Sequence, residues 1–330
     1  MRKQPIAVRS VRAVAFAAAL GIAALAEAPR DPLAQANAAL QAGEADKALA
    51  LLNTVSQTDP GLAEAHNLRC RVQLTLEQWD AAAGECQEAV RLDGQNSGYH
   101  LWLGRALGER ADRATFMSAY SLGKRVRVEF EEAVRLNPRN AEALADLGEF
   151  YYDAPAVVGG GTGKAEGVAA QLDRVDGARA QELRARIAEQ GKDYGTAERE
   201  FKMAIAASAH PAFQWMTLAS FYRRHERWTE MVSAVESGIS ASQRDKHAGV
   251  ALCNGASSLI RANREPALAA RMLEDYLAGA NKTEEAPAFV AHVRLARLKQ
   301  QLGDSTAATR EQAAALALAH EYKPAQDLKH

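Results

Sequence analysis

The sequence predicts an all-α protein, a right-handed α-solenoid of stacked helix–turn–helix units. Three observations predict it. Small residues recur at a fixed step: Ala36, Cys70 and Gly104 lie 34 residues apart, as do Ala185 and Ala219, and a period of that length marks stacked helical units. Ala, Leu, Glu and Arg are abundant, and no long apolar–polar alternation marks a strand. The stretch Phe130–Asp153 also spells out one join between units. An amphipathic run stops at Asn137-Pro138, because Pro lacks an N–H and biases its neighbour away from helix. A second helix opens at Ala141 with Gly148 at its middle, where Gly costs about 1 kcal/mol against Ala. A buried position crossed closely by another helix accounts for that cost.

The same grammar extends along the chain. Gly148, Ser257 and Ala296 continue the set of small anchors on the first helix of each unit. Twelve residues after most anchors stands a small residue of the second helix (Ala48, Ala82, Ala197, Ala269, Ala308). Sixteen after stands Leu52, Cys86, Phe201, Val235 or Leu273, and nine after, in three units, an aromatic: Trp79, Tyr194 or Trp228. At these residues, and most specifically at Ala133–Pro138 followed by Ala141–Leu144, the chain resembles the tetratricopeptide repeat (TPR) family. The resemblance covers most of Asp31 to Ala319 as about eight degenerate units. It implies a concave surface lined by first helices, suited to extended peptides or helices.

Residues 1–28 read as a secretory signal. Arg2, Lys3, Arg9 and Arg12 precede an apolar run from Ala13 to Ala26, and small-residue cleavage sites stand at Ala24–Ala26 and Ala26–Ala28. That run is short of the ~20 residues a bilayer span needs. A bacterial periplasmic or secreted protein is expected, with no stable membrane span after cleavage. The formal net charge is −1. Loss of the leader's basic residues makes it more acidic, which argues against a nucleic-acid partner.

Residues 29–320 are expected to be the solenoid. The first unit, Asp31–Pro60, turns at Gly43; the second runs Leu62–Gly94. The third, Gln95–Pro138, carries about ten extra residues around Glu109–Lys124, expected as a longer helix pair or a small lobe at the groove edge. The fourth, Ala141 to Gly177, contains the long Gly-rich connection Asp153–Ala165. The fifth runs Ala178–Ala209 and the sixth Ala212–Gln243. The seventh starts near Gly249, and the eighth runs Pro287–Ala319. Residues 321–330 are expected to be a loosely held tail.

Few side chains suggest chemistry. Gly163-Lys164 falls short of a P-loop, because Val158 replaces the first Gly and Ala165 the magnesium-binding hydroxyl. A turn with positive φ is expected there, although the following helix N-terminus could hold an anion. Cys70 and Cys86 lie on the two helices of one unit, about a turn out of register. That favours buried thiols over a disulfide, whose Cα atoms must approach within about 7 Å. With His66 and His100 they could form a Cys₂His₂ site, but core packing is the simpler reading, and no metal or cofactor is expected. No nucleophile–base set is legible, so no enzyme is expected.

Arg71, Arg105, Arg186 and Arg297 follow their anchors directly. Arg223 and Arg261 lie a turn further along the same face, and these two with Arg71, Arg105 and Arg186 are the candidate arginines. With Glu149 and Tyr152 they form the candidate partner groove. An Arg stripe could grip carboxylates of a peptide; an inter-repeat salt-bridge ladder explains it equally. Family members that grip a C-terminal carboxylate use a Lys/Asn pattern, and here Asn37, Asn67 and Asn254 lack Lys partners. The leading expectation is a non-catalytic exported scaffold or adaptor binding a protein or peptide in the concave groove. The alternative is a periplasmic small-ligand-binding transport accessory protein, with Glu109–Lys124 and Asp153–Lys164 as a lid.

Overall fold

A computed structural model describes residues 31–245 and 248–329; the signal expected at residues 1–28 lies outside the described residues. Every regular element among them is helical, and neither Val157 nor Val250 lies in a strand. Eight antiparallel pairs follow in chain order. They are α1 (Pro32–Ala42) with α2 (Ala45–Leu52), α3 (Leu62–Thr75) with α4 (Trp79–Leu92), α5 (Ser97–Ala111) with α6 (Phe116–Leu136), and α7 (Ala141–Asp153) with α8 (Thr162–Leu172). The next four are α9 (Gly177–Gln190) with α10 (Tyr194–Ala207), α11 (Pro211–Arg224) with α12 (Trp228–Ser242), α13 (Gly249–Ala262) with α14 (Pro266–Ala278), and α15 (Ala288–Gln301) with α16 (Ser305–Leu318). A short α17 (Lys323–Gln326) follows. Each helix packs on its chain neighbours, and first helices also touch one another, as α1 does α3 and α11 does α13. This is an α-solenoid.

Close packing at the anchors explains the periodicity. Ala36, Cys70, Ala185, Ala219 and Ala296 are almost wholly buried, as are their partners Ala48, Ala82, Cys86 and Ala197. A Cβ on Gly104 would run into the Phe130 ring, and one on Gly148 into Leu183. The turn inside each unit also repeats. Gly43, Glu77, Lys192, Glu226 and Gly303, each seven residues past its anchor, all adopt left-handed φ values between 56° and 83°. For the three non-glycine residues this costs roughly 1–2 kcal/mol each. The aromatic residue Trp79, Tyr194 or Trp228 then opens the second helix.

Side-chain pairs between the two helices reflect the insertion in the third unit. His66 pairs with Glu85 and His292 with Glu311, each 19 residues on. His100 pairs with Glu129, 29 residues on; the extra ten residues lengthen α6. The Cys₂His₂ alternative is thereby redirected, since both histidines bind carboxylates. The cysteines do form a disulfide, Cys70–Cys86, with Cα atoms 5.3 Å apart. The expectation of buried thiols is corrected: the helices of this pair sit in closer register than the 16-residue spacing suggested. The Gly-rich connection makes the expected turn, with Gly159 at φ 105°. The Lys164 ammonium donates to the Gly159 carbonyl.

The array closes on itself, which the repeat pattern did not announce. Phe289, Val293, Ala315 and Tyr322 share one core with Ala36, Leu40, Ala48 and Leu68. A Cβ on Gly43 would meet the Ala288 backbone, so this turn admits the last pair against the first. The stretch from Glu321, expected to hang loosely, helps to seal the join. Tyr322 is buried against Phe289, with ring centroids 4.9 Å apart, and its hydroxyl donates to Glu77.

Candidate functional site

First helices supply the inner face, so residues one position after an anchor point there together. Closure of the array brings a further element to this face: the α14–α15 connection, with Glu284 and Glu285. The Arg71 guanidinium forks onto Glu284, with Nε to Oε2 at 2.9 Å, and Gln41 donates to the same carboxylate at 2.9 Å. Glu285 is held above the usual carboxylate range by burial and by the nearby charge of Glu142.

Arg105 donates to Asp146 at 2.6 Å and to Glu142 at 3.2 Å. Its guanidinium and that of Arg71 both lie over the Trp102 ring, 4.5 and 5.1 Å from the centroid. Arg186 lies between Glu182 and Glu189, at 3.7 and 3.9 Å. Glu189 is claimed more closely by Arg224, at 2.7 Å through both oxygens, and by His225 at 3.0 Å. These arrangements form a salt-bridge ladder, and three of the five arginines are consumed in it.

Arg223 and Arg261 differ. Neither makes an ion pair among the described residues, and the Arg223 Nε is buried without a hydrogen-bond partner there. Burial, Arg261 and Arg224 together push the Arg223 pKa down. Two adjacent guanidinium groups with no carboxylate between them are an uncompensated positive locus.

Glu149 and Tyr152 sit one turn apart on α7. Glu149 is reached by water, yet the surrounding inner face displaces bulk solvent from it. Burial followed by Asp146 raises its pKa against the opposing pull of Arg186. The Tyr152 phenol is likewise raised by burial and then by the Glu149 charge. Among the described residues, the Glu149 carboxylate has neither a hydrogen bond nor an ion pair.

Beside Glu149 opens a cavity of about 570 Å³, bounded by the ends of α5 and α7, the extended α6 and the loop after α7. Its walls are mostly apolar and aromatic: Phe116, Tyr120, Phe130, Phe150 and Val158. Glu109, Asp112, Asp146, Glu149 and Asp153 stand around them, with Arg105 as the one cation of the lining. Phe116 is 84% exposed and Val157 65% exposed at this rim. Both sequence insertions therefore meet at one place. Trp102, Glu284 and Glu285 escaped sequence reading. Trp102 stands two residues before an anchor and could have been found by register. The two glutamates lie in a connection that no repeat position describes.

No family profile matches the chain. Over 222 residues it is 26% identical to Superkiller complex protein 3 of Mus musculus, a match that covers 64% of this chain and 13% of that protein's length. Among solved structures it is similar to TTC0263, a thermophilic TPR protein of Thermus thermophilus, with TM-score 0.49 and 20% identity, over 58% of this chain and 96% of that one. YrrB, a TPR protein with an unusual peptide-binding site, gives TM-score 0.40 and 19% identity over 54% and 84% of the two chains. A TPR protein from Parabacteroides merdae gives 0.43 and 13% over 90% and 98%. From its own paired helices and recurring turns, this chain is an α-solenoid of helix–turn–helix repeats.

Proposed function

We propose that the chain is a non-catalytic exported scaffold that holds a protein or peptide partner against the inner face of its solenoid. The observation that carries this reading is the Arg223–Arg261 pair. Of the five candidate arginines, Arg71, Arg105 and Arg186 are held by carboxylates, and Arg223 and Arg261 have none within the described residues, the Arg223 Nε being buried without an acceptor. A buried guanidinium nitrogen without an acceptor is costly, and a partner's Asp or Glu would relieve it, bidentately where the fork allows. Trp102, Tyr152 and the remaining ladder then shape the surface beside that anchor. The Cys70–Cys86 disulfide supports an oxidising compartment such as the periplasm, in keeping with the signal-like residues 1–28.

The test is selection from a displayed library of random peptides, with the intact chain and with the Arg223→Glu/Arg261→Glu variant as baits. Peptides enriched in Asp and Glu, captured at least about tenfold less by the variant, are expected. Peptides selected equally well by both baits would remove the arginine pair from the proposal.

A second reading is supported by the cavity at Glu149. The two insertions that distinguish this chain from a plain repeat array converge on it, as they would in a protein that holds a small ligand for transport.

A further inference from the structure

We infer that the cavity beneath the two insertions is a binding site for a small organic cation with an apolar body, an alkyl- or arylammonium ion. Asp112, Glu149 and Asp153 hold its charge, and Phe116, Tyr120 and Phe150 cover its body. This deepens the second reading above and rests on it.

Size and surface come first. A volume of about 570 Å³ falls within the range of small-molecule sites, which are concave, largely apolar and furnished with a few polar groups. Charge selects among small molecules. The lining carries five carboxylates against one guanidinium, and that guanidinium is already taken by Asp146 and Glu142. Of the other cations of this region, Arg127 packs on Gly159 of the bounding loop, outside the lining, and lies 3.9 Å from Glu131. Arg110 pairs with Asp80 on α4. Arg113 binds Glu109 and stacks on Trp79. Lys124 lies 4.3 Å over the Tyr120 ring, outside the lining. Among the described residues, the carboxylates of Asp112, Glu149 and Asp153 make no hydrogen bond or ion pair within the chain; all three residues are exposed, so a ligand that covers them must replace water.

Each class of ligand fares differently against this arrangement. An anion would meet uncompensated negative charge. A neutral apolar molecule would fill the space but enclose the carboxylates without a partner, which costs free energy. An ammonium ion satisfies them, and aromatic faces attract it as well. The exposed rim residues Phe116 and Val157 would lose water to its hydrocarbon part. Burial and then the charge of Asp146 raise the proton affinity of Glu149 against the pull of Arg186, so a cation placed beside it would favour its charged form.

Isothermal titration calorimetry on the intact chain tests this with three probes of matched shape: phenylpropylammonium, phenylpropanol and phenylpropionate. The cation is expected to bind about tenfold more tightly than the alcohol, and the carboxylate not at all. Glu149→Gln and Asp153→Asn relieve like-charge repulsion on α7, and Asp112→Asn changes an exposed side chain, so the variants should fold, as thermal unfolding would show. Combined, they should abolish the preference for the cation and leave alcohol binding as tight as in the native chain or tighter, since the carboxylates that a neutral ligand encloses at a cost are gone. Ala119→Trp, which fills the cavity, should abolish binding of all three. Equal affinity for cation and alcohol, or a preference that survives the triple substitution, overturns the charge assignment while keeping a small-ligand cavity. Failure of all three probes at millimolar concentration overturns the small-ligand reading itself. Binding of a lysine-bearing apolar peptide, lost in the same variants, would then give the cavity to a protein partner.

Discussion

Removal of the Cys70–Cys86 disulfide by Cys70→Ala/Cys86→Ala should destabilise the chain by an amount that the loop length sets. The bridge spans 16 residues and ties α3 to α4. Closing a loop of that size restricts the unfolded chain by about 3 kcal/mol in the chain-entropy account. Both cysteines are fully buried, so the alanines add a packing loss on top. Reduction of the native protein isolates the first contribution, because the sulfur atoms stay in place. Equilibrium urea unfolding with and without dithiothreitol reads the difference. At a slope of about 3 kcal/mol per M, the midpoint of the native chain should fall by about 1 M on reduction, while the double variant does not respond. Cys253 provides the control. Its thiol is buried and its pKa is pushed up to about 12 by burial, so Cys253→Ala should respond to reductant as the native chain does. A native midpoint that is the same in oxidising and reducing buffer refutes the reasoning, and with it the support that the bridge lends to an exported location.

Three further outcomes follow from charged side chains. Arg71→Ala should cost about 3 kcal/mol, since it leaves the largely enclosed Glu284 with Gln41 alone. The double substitution with Glu284→Ala should cost less than the sum of the singles by about 1–3 kcal/mol in urea unfolding, and strict additivity would deny that this pair helps to close the array. The folded-state pKa of Glu149 is raised, so its stabilising effect is complete below the unfolded carboxylate value and is lost as pH rises through the folded one. Glu149→Gln should therefore stabilise the chain at pH 7 and leave it unchanged at about pH 3. Glu198 is the opposite case. Burial alone would raise it, but hydrogen bonds from Lys202, Arg227 and Tyr222 outweigh that and hold it at about 2. Its contribution is present above the unfolded value and is lost as pH falls toward about 2. Glu198→Gln should thus destabilise at pH 7 and cease to matter in strong acid, as melting curves across pH would show.

The repeat was legible because each unit solves the same local problem. Two helices that nearly touch need Ala, Gly or Cys at the crossing, and the chain places one every 34 residues or so. The insertion after Gly104 was legible for the same reason, as a broken count, and the His100–Glu129 pair reflects it. Misjudged register was harder to avoid. Cys70 and Cys86 looked a turn apart because sequence spacing fixes position along each helix but not how far the second helix slides against the first. The inner arginines were found by position alone, and position could not say which of them would be neutralised.

By itself the sequence determined the helices, their pairing in chain order and the small residues at each crossing, since these depend on neighbours within about 40 residues. Tertiary structure alone decided that the last pair seals onto the first, that Glu284 reaches Arg71 across 213 residues of chain, and that two separate insertions enclose one cavity. Such contacts depend on the small rotation from each unit to the next, summed over eight pairs, and no single unit encodes that sum.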